Sequence, residues 1–110
     1  MGNKETTLQR RIMAALSKDC VLVRVPTGQY WAGKYDSGII VNPRPVKVAV
    51  TGFPDLAGYR RSDGRAVYIE VKTDSGVVSK EQEQFITVAR NAGCLAGIAR
   101  SIEEARGIIK

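Results

Sequence analysis

Ala66-Val67-Tyr68-Ile69-Glu70-Val71-Lys72 is apolar enough to be a central β-strand buried on both faces, yet it carries two ionisable side chains. Strand alternation places Val67, Ile69 and Val71 on one face, and Tyr68, Glu70 and Lys72 on the other. Burying a charge costs several kcal/mol, to order of magnitude, unless it is paired or binds an ion. The run just upstream, Asp55 to Arg60, is also β-like, and Asp63-Gly64 between the two is a strong hairpin signal. If residues 61–64 form the loop, Arg60 pairs with Arg65 and Asp55 falls opposite Glu70. Two opposed carboxylates destabilise a sheet, so their coexistence favours a cation between them. An oxygen-only donor set suits Mg²⁺ or Mn²⁺, completed by a main-chain carbonyl and waters. Lys72, on the same face, is placed to orient the attacking water or to stabilise charge on a phosphate. An isolated Glu-x-Lys is common by chance and is usually an edge-strand ion pair. The buried setting and Asp55 are what distinguish this one. For Asp55 itself, a plain turn role after Gly52-Phe53-Pro54 is the alternative.

Around this hairpin the chain reads as α-β-(excursion)-β-β-α-β-α. Leu8, Ile12, Ala15 and Leu16 recur at helical spacing in a first helix over Lys4–Leu16. A short strand follows over Cys20–Val25, closed by Pro26. Residues 27–51, rich in Gly and Pro, form a hairpin-like excursion with strands expected near Gly38–Val41 and Val46–Val50. Its Tyr30, Trp31 and Tyr35 among Lys34, Arg44 and Lys47 suit either contact with DNA or a surface hairpin with stacked aromatics. Ser79-x-x-Gln82 opens a second helix ending at Gly93, Leu95–Ala99 is a further strand, and Ser101-x-x-Glu104 repeats the capping box before a last helix. Strand, crossover helix and strand run parallel, so the expected fold is α/β, with a mixed sheet flanked by helices.

The length, 110 residues, suits one domain, 1–110, with one site. The net charge of +6 comes from Lys and Arg alone, since there is no histidine, and points to a polyanionic partner. Absence of histidine excludes His-based general bases and catalytic triads, and Cys20 and Cys94 lack metal-ligand spacing and read as reduced core thiols. Hydrolysis here must use carboxylates, lysine and metal. Neither a signal core nor a membrane-spanning run is present, which leads us to expect a soluble, cytoplasmic protein. Residues 1–6 fit the loose N-acylation pattern, a frequent false positive. Arg10, Arg11, Arg24, Lys34, Arg44, Lys47, Arg60 and Arg61 are candidate contacts to a phosphate backbone, most of them expected to be simply solvated.

Two more residues sit oddly for a plain core. Glu5 lies on the apolar side of the first helix with Gln9 a turn later; it either serves the same site or complements the helix dipole. Gln82 lies on the inward stripe of the second helix, where it either reaches the lysine, a metal-bound water or a phosphate, or closes the capping box with Ser79.

Gly52-Phe53-Pro54-Asp55-Leu56, then Ile69-Glu70-Val71-Lys72, then Ser79-Lys80-Glu81-Gln82, with Glu5 and Gln9 on a leading helix, together resemble the VRR-Nuc family of the PD-(D/E)XK nuclease superfamily. The resemblance covers nearly the whole chain and is weakest over residues 27–51. It implies a restriction-endonuclease-like αβββαβ core and Mg²⁺- or Mn²⁺-dependent hydrolysis of DNA phosphodiesters. Asp55, Glu70 and the main-chain carbonyl of Val71 correspond to metal ligands, Lys72 to the catalytic lysine, and Glu5 and Gln82 to supporting active-site residues. Small stand-alone members, often from phages or bacteria, resemble junction resolvases in forming homodimers and cutting branched DNA such as Holliday junctions. Alternatives are a sequence-specific or nicking DNA endonuclease, and a non-catalytic nucleic-acid-binding module on the same fold.

Overall fold

The computed structural model describes residues 4–26, 29–36, 38–47 and 50–110. Residues 1–3, where the acylation pattern begins, lie outside it. Helix α1, Lys4–Leu16, and strand β1, Cys20–Arg24, match the sequence expectation to within a residue. After β1 come β2, Gln29–Asp36, and β3, Ile39–Lys47, then β4, Leu56–Arg60, and β5, Ala66–Val71. Helix α2, Lys80–Asn91, strand β6, Leu95–Ala99, and helix α3, Ile102–Ile108, complete the order.

Four strands form one sheet in the order β1-β4-β5-β6, antiparallel except for the parallel β5·β6 pair. This is the expected αβββαβ core with a mixed sheet. The β4–β5 hairpin has the expected register: Leu56 faces Ile69, Tyr59 faces Ala66, and Arg60 N–H donates to the Arg65 carbonyl. The register follows from period-two alternation, since a slip by one residue would carry Val67, Ile69 and Val71, all fully buried, to the opposite face and turn Glu70 and Lys72 into the core of α1 and α3.

The two faces of the sheet bury different cores. Ile12 and Leu16 of α1, with Ala105 of α3, pack on Leu56, Val67, Ile69 and Val71. On the other face α2 packs through Ile86 and Ala89, joined by an edge-to-face cluster of Phe53, Tyr68 and Phe85. Gly58 permits the close approach of β1 and β4: a Cβ there would lie 1.7 Å from the Val21 carbonyl oxygen.

Residues 27–51 contain the main departure from the sequence reading. The excursion is a hairpin, as expected, but the strand expected near Gly38–Val41 and the start of that expected near Val46–Val50 both fall in the one strand β3, and its partner β2 was not expected; the two form a separate two-stranded sheet. The register shifts at Gly33, opposite Asn42 and Pro43, and Asn42 takes a positive φ of 54°. Pro43 has no N–H for the ladder, and it marks a bulge within β3. Residues 48–49, and the side chains of Tyr30, Trp31, Lys34, Tyr35 and Lys47, lie outside what is described.

The β4–β5 turn explains how three helices are tied to one end of the sheet. Arg61 donates to the Ser17 carbonyl beyond α1, Arg65 to Gly93 beyond α2, and Arg60 to Ile109 at the end of α3. Each guanidinium meets the negative end of a helix dipole and satisfies a carbonyl that the helix leaves open. Arg60 is also paired with Asp63 at 2.6 Å, whose carboxyl is held down to about 2 chiefly by that hydrogen bond. Arg60 and Arg61 therefore act as helix clamps at the turn end. The N-termini of α1 and α2 lie at the opposite end, beside Glu70. Among the described residues no helix is long and apolar enough to cross a membrane.

Candidate active site

Asp55 precedes β4 rather than opening it, and its backbone explains where its side chain goes. The Asp55 carbonyl accepts from Val25 N–H at 2.8 Å, so its main-chain groups face β1. Asp55 and Glu70 thus continue the β4–β5 register as a pair without mutual main-chain hydrogen bonds, the geometry in which opposed side chains come closest. Asp55 Oδ2 accepts from the Val71 N–H at 3.0 Å, closing the ladder where β4 has ended. A residue's N–H and C=O leave an extended strand on the same side, so the Val71 carbonyl also lies on this edge of β5.

Glu70 is 2% exposed. Its Oε2 accepts from Gln82 Nε2 at 3.1 Å and lies 3.5 Å from Lys72 Nζ. Its Oε1 is buried with no hydrogen-bond partner. Burial first, and then the Asp55 charge, raise the Glu70 carboxyl from an ordinary 4.5 to about 8, against a smaller opposing effect of Lys72. Glu5, in the first turn of α1, comes to the same place: one carboxylate oxygen each from Glu5, Asp55 and Glu70 lie within 4.8 Å of one another. Burial, followed by the neighbouring Asp55 charge, also raises the Glu5 carboxyl. The position of Glu5 is compatible with both alternatives, because the first turn of the helix lies at the acidic cluster.

Gln82 closes the capping box and also reaches the cluster, where its partner is Glu70 rather than the lysine, water or phosphate expected; a primary amide has two ends. Gln82 Oε1 accepts from Ser79 N–H at 2.9 Å while the Ser79 hydroxyl accepts from Gln82 N–H, a complete capping box at the start of α2. That fixes the amide so that its Nε2 points at Glu70. In α3 the second expected box is only half formed: Ser101 accepts from Glu104 N–H, but Glu104 Oε1 accepts from Arg100 N–H, one residue earlier than expected.

Three further groups, to which the sequence reading assigned no role, frame the site. Gly52, at φ +86°, lets the chain pass against α2, where a Cβ would lie 2.6 Å from the Glu81 carbonyl oxygen. Arg100 Nη1 donates to the Thr73 and Gly76 carbonyls at 2.6 and 2.9 Å, pinning the loop that follows Lys72. Gly76 in that loop lies against the Lys72 stem, where a Cβ would be 3.2 Å from Cδ. The glycine and proline punctuation signalled the first; the arginine gave no local signal.

An acidic pocket with one deeply buried, unsatisfied carboxylate oxygen, a lysine at its side and helix N-termini around it matches the Glu-x-Lys nuclease pattern in kind. A model of the VRR-NUC domain matches residues 3–103. The chain belongs to the VRR-NUC family. No curated protein matches it significantly. The VRR-NUC domain identifies a nuclease-type, DNA-cleaving module on a restriction-endonuclease-like fold. The donor set fits a divalent cation of this family's kind: the oxygen atoms of Glu5, Asp55 and Glu70 are close enough to share one ion, and Glu70 Oε1 needs a partner.

Proposed function

We propose that this VRR-NUC chain is a Mg²⁺- or Mn²⁺-dependent endonuclease that hydrolyses phosphodiester bonds of branched DNA as a homodimer. The observation that carries the enzymatic reading is Glu70 Oε1, a carboxylate oxygen buried without a hydrogen-bond partner on a side chain that clusters with the carboxylates of Glu5 and Asp55. Asp55, Glu70 and the Val71 carbonyl are the proposed ligands, with Glu5 supporting them. When bound, the cation would polarise the phosphate and acidify a water molecule.

The protein's own groups then divide the remaining work. Gln82 and Lys72 both engage Oε2 of Glu70, which leaves Oε1 free to take a ligand. The Lys72 ammonium, beside Glu70, holds the attacking water in line and offers a positive contact to charge developing on the phosphate. Arg100 and Gly76 hold the lysine stem from behind. Asp55 uses one oxygen to close the sheet edge, which fixes the direction of the other. The preference for branched DNA and the dimer rest on the resemblance to small stand-alone members of the family.

The test is cleavage of a labelled four-way junction beside linear duplex, flap and single-stranded DNA, in Mg²⁺, Mn²⁺ or EDTA, with wild type and Lys72→Ala. Junction cutting that needs metal and drops at least about a hundredfold in the variant is expected. Cutting of linear duplex at defined sequences would replace the branched-DNA reading, and binding without cutting in any metal would end the enzymatic one.

A further inference from the structure

Besides Glu70, the only other buried polar or charged side chain among the described residues is Gln9, 7% exposed. It lies one helical turn after Glu5, on the same face of α1. Its Oε1 accepts from Arg24 Nε at 2.9 Å. Arg24 ends β1 opposite Leu56, the residue after Asp55, and the next residue, Val25, makes the main-chain bond to Asp55. The guanidinium is therefore tied to two of the three segments that deliver carboxylates to the site: through Gln9 to the helix of Glu5, and through β1 to the approach of Asp55.

The partner chosen for this arginine is informative. The arginines at the turn end clamp helix carbonyls, and Arg60 also pairs with Asp63. Arg24 is held by a neutral amide, and among the described residues it forms no ion pair with a carboxylate although an acidic cluster is close along the chain. A neutral anchor at Nε fixes the plane of the guanidinium and leaves its charge uncompensated, with the side chain exposed to solvent. The local charge balance calls for such a group. Three carboxylates and Lys72 sum to −2 when ionised, a divalent cation brings this to zero, and a phosphodiester adds negative charge with nothing left to meet it.

Building on the nuclease reading above, we infer that Arg24 is a DNA-backbone anchor that takes a phosphate adjacent to the scissile one, and that Gln9 is the positioning residue that presents it. Recognition is through phosphate oxygens and carries no sequence information. A planar fork suits that acceptor better than a lysine does.

The experiment is binding of a fluorescent four-way junction and of linear duplex in EDTA, across a salt series, followed by anisotropy. Wild type is compared with Arg24→Ala, Arg24→Lys, Gln9→Leu and Arg106→Ala, with a thermal melt of each. Arg24→Ala should bind about tenfold more weakly and lower the slope of log K against log salt by about one. Arg24→Lys should keep the slope but not the affinity, and Gln9→Leu, which removes no charge, should weaken binding several-fold with the slope intact. Arg106→Ala, at the helix-clamp end, should match wild type. In cleavage, Arg24→Ala should raise KM with little change in kcat. Wild-type affinity and slope in Arg24→Ala, or an equal loss in Arg106→Ala, overturns the assignment; if Arg24→Ala does not fold, full affinity in both Arg24→Lys and Gln9→Leu does so. Absence of any salt-dependent DNA binding by wild type would defeat the nuclease reading itself, a result distinct from these.

Discussion

Replacing Glu70 by glutamine should stabilise the metal-free protein, and should do so increasingly as the pH rises. In the folded chain the carboxyl is raised from 4.5 to about 8 by burial and by Asp55. Below pH 4.5 it is protonated in both folded and unfolded chains, and its neutral form costs the fold nothing. Between 4.5 and 8 the unfolded chain ionises while the folded one retains its proton, so stability falls with each increment of pH. Above 8 the loss is complete. The full gap corresponds to on the order of 5 kcal/mol, and about 3 kcal/mol of it is already lost at pH 7. Glutamine keeps the shape and an acceptor for Gln82 but gives up the ion pair with Lys72, so these figures are upper bounds. The assay is thermal unfolding in EDTA at pH 5, 7 and 9. Wild type and Glu70→Gln should melt together at pH 5, with the variant several degrees higher at pH 9. Added Mn²⁺ should raise the wild-type melt and hardly move that of the variant. A variant less stable than wild type at pH 9 would refute the reasoning, because it would mean that Lys72 outweighs burial and Asp55.

Gly58→Ala should cost at least about 3 kcal/mol and broaden or abolish cooperative melting, because a Cβ 1.7 Å from the Val21 carbonyl oxygen forces β1 from β4. Arg100→Ala should lower kcat by roughly tenfold while leaving calorimetric Mn²⁺ affinity unchanged, since it frees the loop behind Lys72 without touching the carboxylates. Loss of Mn²⁺ affinity in that variant would show instead that the whole site depends on the clamp.

How much of the site was legible depended on whether its geometry is local. Tyr68 to Lys72 alternates strictly, and Asp63-Gly64 sets the hairpin loop, so the face shared by Glu70 and Lys72 and the approach of Asp55 followed from period and turn chemistry. The Ser79-Gln82 box was legible for the same reason, as its two partners lie three residues apart. In residues 27–51 the second arm of the hairpin was missed because Gly and Pro are turn signals by composition, while pairing across a bulge tolerates Gly33 and Pro43.

Sequence by itself determined the order of elements outside residues 27–51, the two faces of β5 and the presence of a carboxylate and a lysine on one of them. Only the tertiary structure decided that Glu5 reaches Asp55, that Gln82 serves its helix cap and Glu70 together, that one oxygen of Glu70 has no partner, and that Gln9 holds Arg24. Those contacts join residues far apart in the chain, and their distances depend on how the packed core sets helices against the sheet. Periodicity says which way a side chain faces; the packing of distant elements decides what it meets there.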